Sequence, residues 1–181
     1  MKKLLVMAVA MVASIAASAQ IYVGGSFGLS RNTSDDVTTF LIKPEVGYNL
    51  SEKWAVGGIV DFNYTKDGDV KSTVFSIEPY ARYTYFSAVD NRLRLFVDGG
   101  FGIGFGKAKK DGHSGDTVAA FEIGLKPGVS FALSDNFSLV AHMGFVGYQG
   151  GNHAAKLAGI DEKFGIDLSS MNLSFGFYYN F

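Results

Sequence analysis

The sequence predicts an all-β chain: an eight-stranded antiparallel transmembrane up-and-down β-barrel with short periplasmic turns and longer extracellular loops. Three observations lead there. Successive segments alternate bulky apolar with small or polar residues, the connections between them alternate short and long, and the composition is aromatic, glycine-rich and poor in charge. Of 181 residues 23 are glycine, and 14% are aromatic. Charged residues make up 18%, against about 25% in ordinary soluble domains.

The period of two is clearest at the C-terminus. Met171, Leu173, Phe175, Phe177, Tyr179 and Phe181 occupy one phase, and Asn172, Ser174, Gly176, Tyr178 and Asn180 the other. Side chains alternate faces along a strand, so one face is greasy and the other small or polar. The same alternation marks Ile21 to Leu29, Ile42 to Leu50, Trp54 to Tyr64, Phe75 to Tyr85, Leu93 to Phe105, Val118 to Leu133 and Phe137 to Tyr148. With the last segment these make eight strands, mostly as long as a tilted membrane strand requires.

Connections after the second, fourth and sixth strands are short: Ser51 to Lys53, Ser87 to Arg92, and Ser134 to Asn136. Those after the odd strands are long and polar: Arg31 to Thr39, Thr65 to Ser72, Lys107 to Asp116, and Gln149 to about Gly165. Short turns on the periplasmic side and long loops outside set the orientation. Pro44, Pro79 and Pro127 each stand seven or eight residues before the serine that opens a short turn. Proline lacks the N–H that an interior strand donates, so bulges or weakened pairing are expected there.

Export is read from the first residues. Lys2 and Lys3 precede the apolar run Leu4 to Ala16, and Ala17-Ser18-Ala19 is a small-x-small cleavage site. This predicts a cleaved secretory signal peptide over residues 1–19 and a mature barrel over 20–181 starting at Gln20. The apolar run is too short for a membrane-spanning helix, which takes roughly 20 residues. Removing the two lysines takes the formal charge from -1 to -3, which gives no reason to expect a nucleic acid partner or a polybasic contact with anionic lipid. With no cysteine, disulfides, thiol catalysis and a lipoprotein anchor are excluded.

A soluble barrel of lipocalin type would show the same alternation with its faces exchanged. Size decides against it. The greasy stripe is full of Phe, Tyr, Leu, Ile and Trp, while the other holds Gly24, Ser26, Gly47, Gly57, Gly100, Gly102, Gly104, Gly124 and Gly176. An eight-stranded interior is only just wide enough for side chains to fill, so the small stripe belongs inside. Tyr48, Trp54, Tyr64, Tyr83, Tyr85 and Tyr179 fall near predicted strand ends, as an aromatic girdle would place them.

On these residues the chain resembles the small outer-membrane β-barrel family that includes the OmpX and OmpA transmembrane-domain types. The likeness covers nearly all of Gln20 to Phe181, and the ending Phe175-Gly176-Phe177-Tyr178-Tyr179-Asn180-Phe181 is the family's. The resemblance implies insertion in the outer membrane of a Gram-negative bacterium. It also implies that the barrel-assembly machinery recognises Phe175, Phe177, Tyr179 and Phe181.

The inward stripe is expected to hold Lys43, Glu45, Asp61, Glu78, Arg82, Arg94, Asp98, Glu122, Lys126 and His142. Five acids, four bases and a histidine in a narrow lumen must pair, because an isolated buried charge is costly. The expected role is an interior salt-bridge plug, with a gated ion or proton path as the second reading. A lipid A-modifying enzyme is the third. His142 has no hydroxyl nucleophile at a recognisable spacing, and His113 and His153 fall in outer loops. A Glu45/Asp61 carboxylate pair would lack substrate access for acid–base work.

Gly99 to Gly104 resembles a phosphate loop superficially but lies inside a strand with no helix following. Asp35, Asp36, Asp67, Asp111 and Asp116 give the outer loops an acidic tone without a calcium site being required. No catalytic residue, metal ligand or cofactor is expected. The expected function is a non-enzymatic structural or surface-interaction barrel that presents four outer loops. Its expected partners are outer-membrane lipid and lipopolysaccharide, the assembly machinery, and host or cell-surface ligands.

Overall fold

The computed structural model describes residues 20–32, 37–68, 70–110, 113–157, 162–167 and 173–181. The expected signal segment lies outside the described residues, as do the tips of the outer connections. Six strands follow one another as neighbours: β1 (Ile21–Asn32), β2 (Val37–Asn49), β3 (Trp54–Asp67), β4 (Val70–Ala88), β5 (Leu93–Lys110) and β6 (His113–Ala132). Then come β7 (Phe137–Met143), β8 (Phe145–Gly151), a short helix α1 (His153–Leu157), β9 (Lys163–Asp167) and β10 (Leu173–Asn180). All pairings among the described residues are antiparallel, β6 carries both β7 and β8, and β10 pairs with β7 and β1. The sheet therefore closes on itself, with β7–β8 forming the seventh stave and β9–β10 the eighth. Closure through β10 pairs the inner part of β1, Tyr22 to Phe27, so the sheet has no free edge there.

The break in the seventh stave has a local cause. Gly144 takes φ +86°, a conformation that costs glycine little. Val140 and His142 are buried before it, Phe145 and Gly147 after it, so the inward phase shifts by one residue there. A uniform alternation from Phe137 to Tyr148 would have placed Phe145 in the lipid.

The three prolines behave as the missing N–H demands. Pro44 keeps Gly25 as its partner on β1, yet pairing to β3 skips Lys43 and Pro44 and resumes in the same register. Pro79 pairs with Gly58 on β3, while pairing to β5 skips from Ile77 to Tyr80. Pro127 pairs with Val97, and on its other side the ladder passes from β7 to β8 across the Gly144 bulge. Each proline thus keeps one neighbour and loosens the other.

The outer connections differ from the expected loops. Strands β3 and β4 pair all the way to Asp67 and Val70, and β5 with β6 to Lys110 and His113. Much of Thr65 to Ser72 and Lys107 to Asp116 is hairpin rather than coil. The alternating stretch Val70, Ser72, Val74 continues the strand pattern into what its polarity had marked as loop. The inner turns are short, as expected, and one of them carries Val89, Asp90 and Asn91 at φ between 53 and 65°.

Outside, Val56, Val60 and Phe62 on β3, Phe75 and Ile77 on β4, and Phe101, Ile103 and Phe105 on β5 lie exposed in continuous rows. Soluble monomers seldom expose apolar patches beyond a few hundred Å². Trp54 and Tyr64 stand ten residues apart on β3. At about 2.5 Å of height per residue in a tilted strand, they bracket roughly 25 Å, the height of an outer-membrane apolar band. Trp54 stacks on Tyr83, their ring centroids 4.8 Å apart, at the inner end of that band.

Candidate functional site: the charged lumen

The inward stripe builds two charged layers and a lid. In the inner layer, Glu45 from β2, Arg82 from β4, Asp98 from β5 and His142 from β7 meet across the lumen. Arg82 Nε and Nη2 donate to the two oxygens of Asp98 at 2.6 and 2.7 Å, a bidentate fork. The same Nη2 lies 3.2 Å from Glu45 Oε1 and 2.9 Å from the Tyr178 hydroxyl oxygen. The Tyr178 hydroxyl reaches both Glu45 oxygens at 2.9 Å. Tyr80 donates to Glu45 and also meets the Tyr22 hydroxyl. His142 Nε2 lies 3.0 Å from Asp98 Oδ2; a carboxylate there can only accept, so the ring hydrogen sits on Nε2.

Arg82 is also enclosed by rings. Its guanidinium carbon stands 3.9 Å from the Phe96 ring centroid and within 5.6 Å of the Tyr22, Tyr80 and Tyr178 centroids. Every carboxylate oxygen of the layer has a partner, and the Arg82 and Asp98 side chains are 8% and 3% exposed. A buried charge is tolerable under those conditions. Glycines opposite make the room: a Cβ on Gly47 would stand 2.1 Å from Tyr22 Cζ, and one on Gly128 2.4 Å from Phe96 Cζ.

The outer layer is looser. Lys126 Nζ bridges Glu78 Oε2 and Glu122 Oε1, both at 2.6 Å. Lys43 pairs with Asp61 at 3.2 Å. Asp61 Oδ1 is buried without a hydrogen-bond partner among the described residues, and the Glu122 side chain is 31% exposed. Beyond this layer α1 folds into the mouth, where Ala154 and Ala155 pack on Val118, with Val74 and Ala120 around them. Asn152 holds the helix: its Oδ1 accepts from the backbone of Ala119 and Ala155, and its Nδ2 donates to the Thr117 carbonyl. Outside, the exposed Glu162 carboxyl accepts from Tyr148 and faces Lys156, which hold it below the usual carboxylate range.

Of the residues expected in the lumen, Glu45, Arg82, Asp98 and His142 meet in one layer. Lys43, Asp61, Glu78, Glu122 and Lys126 form the other set of pairs. Arg94 joins neither: it stands exposed at the inner mouth, its Nε donating to the Asn91 carbonyl. It lines a cavity of about 230 Å³ open at that end and floored by Tyr22, Arg82, Phe96 and Tyr178. Glu45 and Asp61 bind different cations and do not act as a carboxylate pair. His153 is exposed at the start of α1, and the side chain of His113 lies outside the described residues. The expected set left out Tyr22, Tyr80, Phe96 and Tyr178, although Tyr80 and Phe96 share the phase of Glu78, Arg82 and Asp98, and Tyr22 and Tyr178 share that of the small residues Gly24, Ser26, Ser174 and Gly176.

A closed eight-stave wall, apolar outward and ion-paired inward, defines a transmembrane β-barrel of the outer-membrane class. The chain matches the outer membrane protein beta-barrel domain family over residues 4–181 and belongs to it. Membership carries location in the outer membrane. Among solved structures, the N-terminal β-barrel domain of Pseudomonas aeruginosa OprF superposes with a TM-score of 0.54 at 18% identity, covering 90% of this chain and 98% of that one. Neisserial surface protein A gives 0.52 at 15% identity, over 91% and 98%. At those identities the likeness is one of fold. No curated protein matches the chain.

Proposed function

We propose that this protein is a non-enzymatic barrel whose lumen is closed and whose four outer connections make its contacts at the cell surface. The observation that carries this reading is the inner layer, where Arg82, Glu45, Asp98 and three tyrosines fill the bore with mutually satisfied polar groups. Such a layer leaves a solute no path, and loops on a rigid wall are where binding usually resides. The lumen's acids and His142 are engaged with one another, which favours a structural role over a catalytic one. On this reading the signal segment is removed before Gln20. Phe175, Phe177, Tyr179 and Phe181 then serve as the mark read by the assembly machinery; the rings of Tyr179 and Phe181 stand 5.0 Å apart.

The test replaces the tips of the four outer connections with short turns and asks whether the truncated barrel still complements a deletion strain in surface-contact assays. Loss of the phenotype with normal heat-modifiable migration on gels supports the reading. Full complementation by the truncated barrel overturns it.

A further inference from the structure

We propose that the outward face of β3–β5, at the outer rim, binds the phosphate groups of an outer-leaflet glycolipid. Lys66 on β3 lies directly across from Lys71 on β4, and Lys109 on β5 takes the next register position in the same row. One step below, Lys107 pairs with Thr73, which in turn pairs with Tyr64. Lys66, Lys71 and Lys107 are exposed, and none has an ion-pair partner among the described residues. Each shares its strand phase with lipid-facing residues: Val60 and Phe62, Phe75 and Ile77, Ile103 and Phe105. The lysines therefore stand on the outer wall, not in the bore.

Like charges directly opposite on neighbouring strands destabilise a sheet unless something neutralises them. Depth names that partner. Lys66 is two residues beyond Tyr64, the outer girdle residue of β3. That step lifts it by about 5 Å above the apolar band, to where lipid headgroups begin. Below the row, Phe62, Phe75 and Phe105 form one cross-strand line of rings. Acyl chains lie against those rings while phosphates meet the ammonium groups above them, so one amphiphile satisfies both levels. A phosphorylated, multi-acylated sugar lipid such as lipid A has that shape and charge. This inference rests on the orientation of the barrel and not on what the outer tips contact.

The experiment uses the full chain refolded in detergent and titrated with lipid A carrying both phosphates, with phosphate-free lipid A, or with inorganic phosphate. Bound lipid is counted by native mass spectrometry. The wild type should favour the phosphorylated form, and K66Q/K71Q/K107Q should bind it on the order of 100-fold more weakly, given the attraction of each lysine to an anionic surface. The triple arginine variant and K53Q, at the periplasmic end, should bind as the wild type does, which separates charge at this row from folding. Rising salt should weaken wild-type binding and leave the glutamine variant little changed. Equal binding by the triple glutamine variant would overturn the proposal, as would equal binding of phosphate-free lipid A. Competition by millimolar inorganic phosphate would also overturn it, since the site would then recognise a free anion.

Discussion

The two ends of the lumen are packed by different physics. At the inner end one guanidinium, two carboxylates, a histidine and three tyrosines share a buried layer, and the carboxylate oxygens all have partners. At the outer end, lysine bridges with one orphan carboxylate oxygen lie beneath a five-residue helix that packs through two alanine methyls. The first packing is specific and stiff, since removing one member strands the others. The second is a small apolar contact above the lysine pairs, held by Asn152 and by the Lys156–Glu162 pair. A barrel built this way has its stability at the inner end and its freedom at the outer one.

The comparison is broken most severely at Arg82. Arg82→Met leaves Glu45 and Asp98 buried without their cation and should cost about 3–5 kcal/mol in urea unfolding of the refolded barrel. Combining it with Glu45→Gln and Asp98→Asn should recover much of that loss, because no uncompensated charge remains. Lys126→Met at the outer layer should cost less, about 2 kcal/mol, since Glu122 is partly exposed and keeps some hydration. Equal losses at the two sites would remove the distinction between the layers.

Packing sharpens the same contrast. Gly47→Ala drives a methyl into the Tyr22 ring, which the surrounding network holds, and should cost about 1–3 kcal/mol. Gly102→Ala meets Glu122 Cγ at 2.9 Å, on a flexible side chain that can shift, and should be close to neutral. Thermal melts of the two variants in the same detergent decide this. A local effect is expected at the helix. Asn152→Ala removes its cap and should cost about 1 kcal/mol, seen as faster amide exchange in α1 while the rest of the wall stays protected.

Much of this was legible in the residues. Alternation alone separated Lys43, Glu45, Glu78, Arg82, Asp98, Glu122 and Lys126 from Phe62, Phe75 and Phe105. The proline positions announced where the ladders loosen. What alternation cannot carry is a change of phase: Gly144 is one glycine among many, and only its positive φ turns Phe145 inward. Tyr22, Tyr80, Phe96 and Tyr178 were hidden for a related reason. Sorting by size sends rings to the lipid, yet a ring fits the bore wherever a glycine faces it. Arg94 shares the inward phase of Asp98 but lies too near the strand end to reach the layer. The helix α1 is a single short turn whose stability comes from Val118 and from the bonds Asn152 makes to Thr117 and Ala119, all three more than thirty residues away in sequence.

The most direct test of a closed lumen is planar-bilayer conductance of the refolded chain, in a preparation whose unboiled form migrates as folded barrel. The account predicts silence across voltage and salt for the wild type. Steady, ion-selective steps from the wild type that vanish when Glu78 or Arg82 is neutralised would contradict it and make the charged layers the lining of a pore.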